Sequence, residues 1–181
     1  MNATKLTEEF LENGYVALRG AFSPQKAAEF SKNVWTRLGY DSEDRSTWAE
    51  SRIHMPTHQS VPVAELAPSV WDAMKVLCGG EERIFGPARW GDGFIVNLGA
   101  DDHAETWEPP TAKAPGWHKD GDFFRHFLDS PEQGLLVIVL WTDVFPTGGA
   151  TFLASDSVKP WPSFSPRGQR ASGPASSTFQ A

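Results

Sequence analysis

His118 and Asp120 lie two residues apart in the segment Gly116-Trp117-His118-Lys119-Asp120-Gly121-Asp122. An imidazole nitrogen and a carboxylate oxygen are both metal donors. On an extended backbone residues i and i+2 project to the same side, so one ion can take both, whereas on a helix such neighbours diverge. The two donors make up two-thirds of the two-His, one-carboxylate face that binds Fe(II) and leaves positions open for a co-substrate and dioxygen. The same pair can hold Zn²⁺ or another divalent ion whose bound water becomes a nucleophile, although no general base stands beside it in the sequence. Taken alone, His-x-Asp is a weak signal, and a hydrogen-bonded pair on a solvated strand is its structural alternative. The surrounding elements must decide.

Those elements are short and apolar. Gly93-Phe94-Ile95-Val96-Asn97-Leu98-Gly99 precedes the pair, and Gly134-Leu135-Leu136-Val137-Ile138-Val139-Leu140-Trp141-Thr142-Asp143 and Gly148-Gly149-Ala150-Thr151-Phe152-Leu153-Ala154 follow it. From Arg83 onward, β-rich segments alternate with Gly, Pro and Asp, the pattern of a double-sheet barrel or jelly roll. The run Leu135 to Trp141 is apolar on both faces and predicts an interior strand. The stretch from Leu98 to Pro115 is acidic and carries Pro109-Pro110, which predicts an extended surface loop bordering the site.

Together these motifs resemble the phytanoyl-CoA dioxygenase family of Fe(II)- and 2-oxoglutarate-dependent oxygenases, from the N-terminal helices to about Val158. The resemblance implies an α+β fold, a double-stranded β-helix (jelly roll, cupin-like) with N-terminal helices. It implies that His118 and Asp120 hold Fe(II), with a second His from a later strand and an Arg gripping the distal carboxylate of 2-oxoglutarate. Asn97, Trp117 and Lys119 are the candidates to line the co-substrate pocket, against a plainer reading as strand packing and a solvated lysine. The product would be a hydroxylated small organic molecule.

After Asp120 the one remaining histidine is His126, too near in sequence to be the downstream ligand, and Arg167 and Arg170 fall in a low-complexity tail. His126 and His103 are substitute ligands only if their loops fold back. The resemblance thus implies an incomplete jelly-roll domain over 1–158, lacking its last strands, and the composition of the Pro/Ser-rich stretch over 159–181 predicts a disordered tail. It also opens an alternative: an inactive, truncated remnant or pseudoenzyme serving as a binding module.

Composition narrows the class further. A chain of 181 residues supports one domain, burying about 70% of its unfolded surface. A formal charge of −7 without a Lys/Arg run argues against nucleic acid or an anionic membrane as partner. The polar N-terminus and the lack of a long apolar stretch predict a soluble, cytoplasmic protein without signal peptide. Cys78 is the single cysteine, which excludes an internal disulfide. Eight Trp and twelve Phe serve core packing or a hydrophobic cavity, and so name no substrate.

Upstream, the spacing predicts a helix over 7–14 capped near Thr7, a strand over 15–18, and a helix from Ser23-Pro24 through Phe30, Val34 and Leu38 to Gly39. A polar loop over 41–59 follows, then a helix from about Pro68 to Cys78.

Overall fold

The computed structural model describes residues 2–99, 109–121, 125, 134–145 and 148–155. Helices and small antiparallel sheets share this part of the chain. Helix α1, Ala3–Asn13, begins one turn earlier than the Thr7 cap predicts, because the Asn2 side chain accepts a bond from the Lys5 amide at 2.8 Å. Thr7 instead bonds back to the Ala3 carbonyl within the helix. Residues 15–18 form no strand among the described residues, where no second segment offers them a ladder, and Leu18 packs in an irregular segment against the core.

The long second helix expected from Pro24 to Leu38 is two: α2, Pro24–Ser31, and α3, Val34–Leu38. Ser23 caps α2 through the Lys26 amide, with Pro24 in the first turn. Helix α4, Val63–Leu66, runs into α5, Pro68–Cys78, which has the predicted bounds and stops at a left-handed Gly79. The fully covered centre is Val63, Ala67 and Val70, with Leu18, Phe22, Trp71, Met74 and Trp90 packed around it.

Strand β1, Arg52–His54, pairs antiparallel with β4, Ile95–Asn97, and β2, Ser60–Pro62, pairs with β3, Arg89–Gly91. The predicted loop over 41–59 therefore contains β1, whose partner lies far along the chain and leaves no local signal. At β3 the backbones approach closely: a Cβ on Gly91 would lie 2.7 Å from the Thr57 methyl group. Only glycine fits there without displacing Thr57.

Between β3 and β4 sits Asp92, the one buried polar side chain among the described residues. Its Oδ1 accepts the His58 and Gln59 amides at 2.7 and 2.9 Å, and its Oδ2 meets Arg37 Nη1 at 2.9 Å. Arg37 also donates to the Asp92 and Pro56 carbonyls, which ties α3 to the β3–β4 and β1–β2 connections. Burial pushes the Asp92 carboxyl up, but the Gln59 and His58 amides and the Arg37 charge outweigh it and hold the group below the ordinary carboxylate range.

One ring of the later part of the chain packs into an aromatic cluster of the earlier part. Trp141 stacks on Phe30 at 4.7 Å, leans on Phe22 at 5.1 Å, and presents edges to Phe94 and Trp90. Leu135–Leu140 before it alternates half-buried and exposed residues in the period of a strand, yet joins no ladder among the described residues. The interior strand predicted there is not present among the described residues, and Leu136, Ile138 and Leu140 face outward, 65%, 49% and 64% exposed. A jelly roll is therefore not present among the described residues. The predicted loop over 98–115 falls mostly outside them, and the 159–181 tail wholly so.

Candidate metal centre

Over 117–119 the segment carrying His118 and Asp120 is irregular and it turns at 120–121, so the predicted strand is not present among the described residues. Its alternation survives nonetheless. Trp117 and Lys119 are half-buried, while His118 and Asp120 between and beyond them are exposed. This alternation puts the two donors on one side. His118 Nε2 lies 3.3 Å from Asp120 Oδ1, with the side chains 64% and 54% exposed.

That spacing can be tested against a metal. Donors about 2.1 Å from an ion at right angles stand roughly 3 Å apart, so the pair spans two adjacent coordination positions with little adjustment. A neutral imidazole nitrogen and a carboxylate also suit Fe(II), Mn(II) or Zn(II). The residues present therefore fit a divalent ion as a two-donor edge. Among the described residues no group of three or more His, Cys, Asp or Glu side chains gathers around one point. His103, His126, Arg167 and Arg170 lie outside the described residues.

Two other features shape the segment. The other imidazole nitrogen, Nδ1, lies 2.8 Å from the Gly116 carbonyl oxygen. Upstream, the Thr111 carbonyl accepts from the Ala114 amide at 2.9 Å and from the Trp117 indole Nε1 at 2.9 Å, which closes a turn before the donors. The Trp117 ring is thus held by the loop's own backbone. Asn97, at the end of β4, sends its Nδ2 to the Gly149 carbonyl at 3.3 Å and so joins the Gly148-Gly149 segment to the sheet.

The structure thus brings His118 and Asp120 together and seats Trp117 and Lys119 on the alternate side of the same backbone. It couples Asn97 to Gly149, a residue inside one of the glycine-rich motifs already singled out. The roles of Gly116 and Thr111 act through backbone carbonyls, and no side-chain pattern could have announced them.

No helix among the described residues is long and apolar enough to cross a membrane. No curated protein and no solved structure matches the chain. A family model, that of phytanoyl-CoA dioxygenase, matches residues 10–171, a span that includes both strand pairs, the His118–Asp120 segment and the Gly148-Gly149 motif. Matched over most of its length, the chain belongs to the phytanoyl-CoA dioxygenase family.

Proposed function

We propose that the chain is an Fe(II)- and 2-oxoglutarate-dependent dioxygenase that hydroxylates a small organic substrate. The observation that carries this reading is the 3.3 Å approach of His118 Nε2 to Asp120 Oδ1 on an open, exposed face, in a chain of a dioxygenase family. Bound there, iron would supply the activation of dioxygen, and 2-oxoglutarate would supply two of the electrons. His118 and Asp120 would hold the metal as neutral imidazole and carboxylate, and their exposure leaves coordination positions for a bidentate oxo acid. His103 and His126 are the substitute third ligands, and no residue is assigned as the carboxylate anchor.

Asn97, Trp117 and Lys119 would border the co-substrate. Lys119, next to the donors in sequence, is the cation nearest along the chain to a dicarboxylate held at His118 and Asp120. The Asn97 amide, tied to Gly149, would keep the glycine-rich segment against β4 and shape the pocket wall.

The test is anaerobic loading of the purified chain with Fe(II) and 2-oxoglutarate. The proposal expects a weak visible charge-transfer band that His118→Ala abolishes, and succinate formation on admitting air. A cooperatively folded protein with neither band nor succinate would instead be an inactive binding module. Zinc retained through chelation, with hydrolysis indifferent to oxygen, would favour the hydrolytic alternative.

A further inference from the structure

We propose that the outward face of the β1–β4 pair binds a carboxylate carrying a short aliphatic chain, with Arg52 as its anchor, Asn97 and His54 as flanking donors, and Ile95 beneath the chain. None of these residues belongs to the His118–Asp120 segment.

Strand register places the four side chains together. Arg52 stands opposite Asn97 and His54 opposite Ile95, while Ile53 and Val96 point to the other side of the pair. The Leu98 amide donates to the Ser51 carbonyl and the Met55 amide to the Phe94 carbonyl, so Arg52–Asn97 and His54–Ile95 are the non-hydrogen-bonded positions of the ladder. Side chains stand closest there, with Cβ atoms about 4.5–5.5 Å apart. Burial follows the same alternation: Arg52, His54, Ile95 and Asn97 are exposed, and Ile53 and Val96 are half-buried. At the Asn97 end, the bond from its Nδ2 to the Gly149 carbonyl sets backbone against the face as a wall.

The chemistry of this face suits a carboxylate. An arginine fork presents parallel N–H donors that match the two oxygens of that group. Among the described residues the Arg52 side chain has no hydrogen bond or ion pair. The chain has 23 acidic and 16 basic residues, yet the four-residue face carries a cation and no acid. The Asn97 Nδ2 has a second proton beyond the one given to Gly149, and His54 keeps an N–H in either neutral tautomer. One guanidinium balances the single charge of a carboxylate, whereas a phosphate, with nearly two charges, would add uncompensated charge to a chain already at −7. Ile95, 55% exposed, lies about 7 Å along the strand from Asn97 and offers the aliphatic chain an apolar floor.

The carboxylate can be that of 2-oxoglutarate, in which case the inference rests on the dioxygenase reading, or that of an organic substrate. Titration of the metal-free chain with 2-oxoglutarate and, separately, with hexanoate, followed by ¹H–¹⁵N correlation spectra, tests the proposal and separates the two sources. At least one probe is expected to shift the amides of residues 52–54 and 95–97 saturably. Its affinity is expected to fall about tenfold or more in Arg52→Met, with Arg52→Lys in between. Preference for 2-oxoglutarate identifies a co-substrate subsite, and preference for hexanoate a substrate subsite. No saturable shift with either probe, or binding that Arg52→Met leaves unchanged, overturns the proposal. Arg52 is exposed, so its variants are expected to keep the wild-type fold, which the same spectra check. The titration contains no metal ion, and its outcome stands whether or not His118 and Asp120 hold one.

Discussion

The paired-strand region over 51–99 and the donor region over 109–121 solve opposite problems. In the first, a charged group is buried and every contact serves to hold it: Asp92 takes two backbone amides and the Arg37 guanidinium. In the second, the titratable pair is exposed, and hydrogen bonds close to it in sequence orient it without covering it. Burial with full pairing makes a clasp that fixes two connections in place. Exposure with local restraint makes a site that a ligand can reach, at the cost of contributing little to stability.

The contrast can be broken from the clasp side first. Asp92→Ala would leave the Arg37 charge and two amides without their partner, and is expected to destabilise the fold by about 3–5 kcal/mol. Urea unfolding measures it, and a loss under about 1 kcal/mol would mean the clasp is not sealed from water. Trp141→Ala removes the ring on which Phe22, Phe30, Phe94 and Trp90 converge, and should cost a similar 3–5 kcal/mol. A smaller loss would show that the later segment is docked by contacts other than this ring.

Smaller effects sharpen the same comparison. Gly91→Ala is expected to cost about 1–3 kcal/mol through overlap with Thr57. Thr57→Ala in the same chain should recover most of it, and additive losses would rule out that contact as the cause. Acid provides a fourth handle. The Asp92 carboxyl is lowered in the folded chain, so its stabilising effect is complete above the unfolded carboxylate pKa of about 3.9. It is lost as pH falls through the lower folded value. Asp92→Asn should flatten that acid limb. Smallest of all, Ile138→Lys on the outward apolar row should alter stability by no more than about 0.5 kcal/mol.

Where sequence reading succeeded, the signal was local. Helix α5 is bounded by Pro68 and Gly79, and α2 begins at Ser23-Pro24, because caps act within one turn of the residues that form them. The same-side approach of His118 and Asp120 was legible because it follows from the alternation of side chains along the segment. Strands were harder. β1 becomes a strand only through Ile95–Asn97, a partner that lies far downstream, and Leu135–Leu140 has the composition and period of a strand without a partner among the described residues. Propensity without a ladder does not make a sheet. Asp92 was equally invisible, since nothing around an aspartate between two glycines announces that helix α3 will reach it with Arg37.

The account turns on whether one exposed imidazole and one exposed carboxylate act as joint donors to a single divalent ion. Calorimetric titration of the metal-free chain with Mn(II), alongside His118→Ala and Asp120→Ala, measures this most directly. The account predicts one site per chain whose affinity each substitution lowers at least tenfold, with the double variant little worse than either single one. Binding that survives both substitutions, or a wild-type chain that takes up no Mn(II), would contradict it.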